Sequence, residues 1–333
     1  MDKNAPSTKA PALPTPKATD GSVRKVGVEV EYGGLPEDRS AEILVQEFGG
    51  ELQKDGPDMR VSETPFGSCK IYIDTAYRKQ ADTSDLGRAA LDLARNLVPV
   101  ELVTSPFDPV HLPDLDALLI HFEEQGAFGT EHGILLGYGV HLNVQIIHPK
   151  VTHLWAVLTA FAMTEPVLRR SYPIDISRRL LPFVDRYPRS LRDDLAGGPP
   201  ETVRELARIY LEHAPSRNHA LDMLPIFAEI DPDLIRQQFG EDSAISARPA
   251  YHYRFPDCRI EDPKWSITGE WANWVAIETL AEDRATLDRL CGAWIEHRRK
   301  LTSTASDWAE TASDILRANG HDRLAGGWRR WIS

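Results

Sequence analysis

Glu29 and Glu31 are the first residues whose type and spacing suggest chemistry, within the stretch Val26-Gly27-Val28-Glu29-Val30-Glu31-Tyr32. Three valines alternate with a glycine and two glutamates, the pattern of a strand with one apolar and one charged face. Residues i and i+2 of a strand lie roughly 6.5–7 Å apart on the same side. Both carboxylates therefore reach one space, where they repel unless something positive sits between them. For this pair alone, a solvated acidic strand face is the plainer reading. Later strands repeat the design, however. Glu101 stands among apolar residues in Val100-Glu101-Leu102-Val103-Thr104-Ser105-Pro106. In Val140-His141-Leu142-Asn143-Val144-Gln145 the aliphatic residues face one way, and His141, Asn143 and Gln145 the other. Lys70-Ile71-Tyr72-Ile73-Asp74 leaves Tyr72 and Asp74 opposite its isoleucines, and His252 and Arg254 share a face between aromatics.

Together these strands predict a sheet whose polar face collects Glu29, Glu31, Asp74, Glu101, His141, Asn143, His252 and Arg254. Oxygen-rich donors with an occasional imidazole suit Mg²⁺ or Mn²⁺ better than a thiol-seeking metal. Carboxylates facing an arginine also meet the needs of a metal-bridged polyphosphate.

The elements that must position these residues are legible from periodicity. A helix is expected from Ser40 to Phe48, stopped by Gly49-Gly50. Short strands over 51–77 are broken by Asp55-Gly56-Pro57 and Pro65-Phe66-Gly67. Helices are expected over 85–97, 112–125, 151–170 and 201–213, with a helix-like segment from Arg217 to Asp222. A strand over 248–256 carries His252, and amphipathic helices over 265–299 and 304–331 close the core. An arginine-rich linker holds Arg169, Arg170, Arg178, Arg179, Arg186, Arg189 and Arg192, which reads equally as a solvated basic patch or an anion clamp.

Composition bounds the function. The chain has 333 residues, 42% of them hydrophobic, enough for a sizeable core. Residues 1–22, with four prolines and no aromatic, are expected to form a disordered tail ahead of a single domain over 23–333, helical from 265 onward. A net charge of −12 argues against a nucleic-acid surface and an anionic-membrane binder. Three scattered cysteines, Cys69, Cys258 and Cys291, form no disulfide framework and read as free thiols in a reducing compartment. No apolar run is read as long enough to cross a bilayer, and the first residues lack the apolar core of a secretory signal. A soluble cytoplasmic protein is the resulting expectation.

The order G-V-E-x-E, V-E-L-V-T-S-P, G-V-H-x-N and a late x-H-x-R strand resembles the amidoligase branch of the carboxylate-amine ligases, the superfamily of glutamine synthetase and γ-glutamylcysteine ligase. Arg217-Asn218-His219-Ala220-Leu221, and Pro263-Lys264-Trp265 leading to Glu270-Trp271-Ala272-Asn273-Trp274, resemble the bacterial amidoligase family in particular. The similarity runs from Val26 to Leu280.

This resemblance implies an α+β fold like the catalytic domain of glutamine synthetase: a largely antiparallel sheet curved into a half-barrel, with helices on its convex face. ATP and two or three Mg²⁺ or Mn²⁺ ions would occupy the concave face. Glu29, Glu31, Glu101 and His141 match metal-binding positions, and His252 stands where better-known ligases place a glutamate ligand. Arg254 matches the arginine that handles phosphate. Arg254, Arg217 and Asn143 are expected to contact nucleotide or substrate, and Arg254 and Glu101 to serve the reaction. The implied activity is ATP-dependent amide formation through an acyl phosphate. Its substrates would be a carboxylate and an amine, small-molecule or peptide, and its products γ-glutamyl or peptide-like. The implied setting is work beside a glutamine-amidotransferase-like or cyclotransferase-like hydrolase. A metal-dependent hydrolase or cyclase, and a non-catalytic nucleotide- or peptide-binding member, are the alternatives from the residues alone.

Overall fold

Val26, Val28, Val30 and Tyr32 are fully buried, while Glu29 and Glu31 between them are only partly so. The alternation predicted for this stretch therefore forms strand β1 (Val26–Tyr32), which lies inside a sheet of eight strands. The computed structural model describes residues 9–56, 58–73, 99–130, 137–171, 184–241, 243–300, 302 and 304–327. The other strands are β2 (Glu51–Asp55), β3 (Asp58–Thr64), β4 (Gly67–Ile73), β5 (Val100–Thr104), β6 (Val140–Gln145), β7 (Leu221–Asp222) and β8 (Ala250–Tyr253). Their order is β2-β3-β4-β5-β1-β6-β8-β7, and every named pairing is antiparallel. The sheet is open, with β2 and β7 as its edges.

Directly paired residues of an antiparallel sheet share a face, so the register sorts the side chains. Tyr72 pairs with Glu101 and Glu101 with Glu31. Glu29 pairs with His141, Asn143 with His252, and His252 with Asp222. One polar row thus crosses β4, β5, β1, β6, β8 and β7. The opposite face is apolar and carries the helices. Tyr32 packs on Phe122 of α2 (Leu112–Glu124) at 5.3 Å between rings. Tyr251 and Tyr253 pack on Trp274 at 5.1 and 5.5 Å, and Tyr253 on Phe161 at 6.0 Å. Phe161 belongs to α3 (Val151–Ser171) and Trp274 to α8 (Ile267–Glu282). Beside β3 and β4 lies α1 (Glu37–Phe48), whose expected stop holds: Gly49 at φ 73° turns its N–H onto the Val45 carbonyl. The remaining α-helices among the described residues are α4 (Arg189–Ala196), α5 (Val203–His213), α6 (Leu224–Ile230), α7 (Pro232–Phe239), α9 (Arg284–Arg299) and α10 (Ala305–Ala318).

Several expectations are corrected. The segment Arg217–Asp222 is not helical: Ala220 O accepts from Arg254 N at 2.8 Å, and Leu221 and Asp222 pair with β8, whose free edge gives the chain a ladder to join. The helix expected over 265–299 breaks at Asp283, whose carboxylate caps α9 by accepting from Thr286 N at 3.1 Å. A final α-helix stops at Ala318, short of the expected end, and a π-helical turn follows at Arg323–Gly327. The tail is ordered where it is described. Leu13 is buried, Trp271 Nε1 donates to Pro11 O at 2.8 Å, and Thr15 Oγ1 donates to Glu282 Oε1 at 2.6 Å. Proline fixes φ in the unfolded chain as well, so ordering such a segment costs less entropy than its composition suggests. Residues 151–170 have, against expectation, the length and mean hydropathy (1.3) of a membrane span, but 78% of that window is buried inside the fold. It is the core helix of this sheet. The helix expected over 85–97 lies outside the described residues.

Two buried charges fasten the helical layer. Arg24, fully buried, donates to both oxygens of Glu278 at 2.6 and 2.7 Å, to Gln145 O at 2.8 Å and to Thr15 O at 3.0 Å. Asp116 of α2 accepts from Ile267 N at 2.6 Å and Thr268 N at 3.2 Å, where α8 begins. Burial pushes the Asp116 carboxyl up to about 6, outweighing those hydrogen bonds. A carboxyl whose folded pKa lies above its unfolded value binds its proton preferentially in the native state, so stability falls as pH rises from about 4 to about 6. Asp116→Asn retains an acceptor for α8 and removes the titration. The variant should lose on the order of 2–3 kcal/mol of the pH-dependent destabilisation across that window. Urea melts at both ends of the window check this; an unchanged pH dependence would contradict it.

Candidate active site

The polar row converges on three residues from three strands. Glu29, His141 and His252 each present a ligand atom, and all three atoms lie within 4.8 Å of one another. His141 Nδ1 lies 2.7 Å from Glu29 Oε2, and Asn143 Nδ2 donates to Glu29 Oε1 at 2.7 Å. The His141 and His252 rings meet edge to face at 5.1 Å. Both imidazoles are buried, and His252 Nε2 has no hydrogen-bond partner among the described residues. A buried ring nitrogen is ordinarily satisfied. Its isolation beside a carboxylate and a second imidazole marks a place built for something else.

The electrostatics agree with that reading. Burial alone would raise the Glu29 carboxyl. The His141 hydrogen bond and charge, the His252 charge and the Asn143 amide outweigh it and hold the group well below the ordinary carboxylate range. His252 is pushed down to about 4, chiefly by burial and against the pull of Asp222, so at neutral pH its ring is uncharged and keeps a lone pair. One carboxylate and two imidazoles form a donor set that can hold a divalent cation.

Glu31 and Glu101 stand beside this cluster, Glu31 two residues along β1 and Glu101 directly across from it on β5. Glu31 Oε2 also accepts from Gly139 N at 2.8 Å, which ties β1 to the entry of β6. Arg254 follows β8, and continuing the β6–β8 register sets it across from His141. Its Nη1 donates to the Arg217 carbonyl at 2.5 Å, so these two expected residues are joined through the backbone of Arg217, whose own side chain is exposed. Asp74 lies outside the described residues.

Two residues of this face were not singled out in the sequence. Arg248 donates from Nε and Nη2 to Asn143 Oδ1 at 3.0 and 2.7 Å, and burial lowers its pKa against the pull of Glu29 and Asp222. Its signal was available: 248 and 254 flank 252 in even steps along one strand. Asp222, fully buried, lies 3.4 Å from His252 Nδ1 through Oδ2. No periodicity announces it, because β7 is two residues long.

Three described members of the arginine-rich stretch are engaged in ion pairs, while Arg186 and Arg189 are exposed. Arg169 and Arg192 pair with buried Glu165 at 2.8 and 2.7 Å, and Arg170 pairs with Glu310 at 3.1 Å. Arg178 and Arg179 lie outside the described residues. A cleft of about 440 Å³ between α2 and residues 260–266 contains none of the site residues. Its carboxylates, Asp116, Glu123, Glu261 and Asp262, would repel a polyphosphate.

The family model described as "Putative amidoligase enzyme" matches residues 22–276. That span covers most of the chain and every described strand. The chain belongs to the amidoligase family. The resemblance carried by G-V-E-x-E, G-V-H-x-N and x-H-x-R is thereby borne out, and membership suggests an amide-bond ligase. A search of curated proteins finds no match to this amidoligase-family chain. The donor cluster Glu29, His141 and His252 lies entirely within the matched region.

Proposed function

We propose that this amidoligase-family member joins a carboxylate to an amine at the expense of ATP, through an acyl phosphate, on the polar face of its sheet. The observation that carries the reading is the Glu29–His141–His252 cluster, with an unpartnered buried nitrogen, inside the region that matches the family. The residues fit a divalent cation such as Mg²⁺ or Mn²⁺, and Glu31 and Glu101, paired across adjacent strands, place two further carboxylates on the same face. When bound, the cation neutralises phosphate charge and aligns the transfer.

The remaining chemistry falls to the chain's own groups. A carboxylate is a poor electrophile, so one of its oxygens attacks the γ-phosphorus and ADP departs. The amine then attacks the acyl carbon, phosphate leaves, and an acidic side chain of this face takes the proton. Arg254 and Arg248 supply positive charge on the two sides of His252, where the moving phosphoryl group gathers negative charge. Asn143, held by Arg248 and Glu29, orients substrate beside them. A glutamine synthetase-like half-barrel would give this face the concavity to hold a nucleotide. A glutamine-amidotransferase-like hydrolase that unmakes the product is the functional companion this reading suggests.

Glu31→Ala tests the reading. We expect turnover to fall by about 100-fold or more, with a melting transition close to that of the unmutated protein, because the change costs one hydrogen bond, to Gly139. Lost activity with a collapsed melting transition would make Glu31 structural instead.

A second reading has its own support: two histidines and a glutamate also form the donor set of metal-dependent hydrolases that activate water. Product formed from amide substrates with nucleotide rigorously removed would select it over the ligase.

A further inference from the structure

Asp222 is a fully buried carboxylate with two distinct obligations. Its Oδ1 accepts from Leu224 N at 2.9 Å, fixing the turn from β7 into α6, and its Oδ2 faces His252 Nδ1 at 3.4 Å. A carboxylate facing a ring nitrogen accepts the proton there, so the other nitrogen carries the lone pair. Strand order gives that choice a direction. Asp222 lies on β7, on one side of His252, while His141 and Glu29 lie on β6 and β1, on the other. With Nδ1 turned to Asp222, the unpartnered Nε2 is the nitrogen left for the cluster.

We propose that Asp222 is a positioning residue that holds His252 as the Nδ1–H tautomer, so that Nε2 serves as the third ligand of the Glu29–His141–His252 centre. The inference rests on the metal-binding part of the proposed function but not on its ligase chemistry.

Asp222→Asn gives a specific test. Leu224 N–H requires an acceptor, so the amide oxygen takes the Oδ1 place and the NH₂ faces His252 Nδ1. A donor there demands an acceptor from the ring and selects the opposite tautomer, Nε2–H. Long-range nitrogen–proton NMR on the metal-free protein reads the tautomer directly. The expected result is Nδ1–H in the unmutated protein and Nε2–H in Asp222→Asn. Titration with Mn²⁺ alone, followed by its electron paramagnetic resonance signal, should show affinity reduced about 10–100-fold in Asp222→Asn. His252→Ala should lose at least as much, with little further loss in the double variant. Nε2–H in the unmutated protein, or unchanged Mn²⁺ affinity in Asp222→Asn, would overturn the proposal. Should Asp222→Asn fail to fold, the tautomer of the unmutated protein still decides. Correct tautomers and Mn²⁺ affinities with no ATP consumption would instead leave Asp222 in place and remove the ligase reading.

Discussion

On the proposed function, Glu29→Ala should abolish measurable turnover, a loss of more than about 100-fold, because it removes a proposed cation ligand itself and not an outer partner. The carboxylate is the hub of the cluster: His141 Nδ1 and Asn143 Nδ2 each lie 2.7 Å from one of its oxygens. Its charge is maintained against burial by those contacts and by the imidazoles. Alanine leaves the His141 ring and the Asn143 amide without their acceptor in a largely buried place, which costs about 1–3 kcal/mol for each unsatisfied group. The variant should therefore be both inactive and less stable. Glu29→Gln separates the two effects, since it keeps an acceptor oxygen and the shape but loses the charge. It should melt nearer the unmutated protein and still lack turnover. Activity within about tenfold of normal in either variant, with turnover and melting measured on the same preparation, would contradict this assignment.

Arg24→Ala carries the largest expected cost in stability. Breaking a buried ion pair by removing one partner leaves the other charge uncompensated and costs about 3–5 kcal/mol. Here the stranded group is Glu278, buried within α8 and shared with Trp274 Nε1 at 2.7 Å. The guanidinium also holds the Gln145 carbonyl at the end of β6 and the Thr15 carbonyl of the N-terminal segment. Its loss therefore loosens the strand that carries His141 as well as the helix behind it. The melting temperature should fall on the order of 10 °C. Arg24→Met combined with Glu278→Leu should recover most of that loss, because an apolar pair of similar volume avoids the desolvation of both charges. A single variant that loses less than about 1 kcal/mol in denaturant melts would show that water reaches the pair.

What was legible in the sequence follows from how far each signal travels along the chain. Strand side chains alternate with period 2 whatever the tertiary context, so Val26–Tyr32, Val140–Gln145 and His252 disclosed their faces, and the polar row was visible before any fold. Arg248 lay within reach of the same rule. Asp222 did not, because a two-residue strand has no period and its partner, His252, is distant in sequence. The buried arginines were misleading for a related reason: a basic run reports its own polarity but not the Glu165 that neutralises Arg192 from another helix. The Glu165–Arg169 pair, one helical turn apart, was the hint available. The proline-bearing segment at 9–22 was read from composition, which is blind to Trp271 and Glu282 of α8, to which it is hydrogen-bonded. The open sheet emerged only from pairing, since β1 lies between β5 and β6, and no local signal encodes that order.

The measurement that tests the central claim most directly is product analysis on the purified protein. It would be supplied with MgATP and a pool of amino acids and polyamines whose carboxylate oxygens carry a heavy isotope, beside Glu31→Ala. Attack by a carboxylate on the γ-phosphorus, followed by displacement of phosphate by an amine, transfers one carboxylate oxygen into the phosphate released. The account predicts ADP and isotope-bearing phosphate, formed by the unmutated protein only when the pool is present and not by Glu31→Ala. AMP and pyrophosphate, or product formed without any nucleotide, would contradict it.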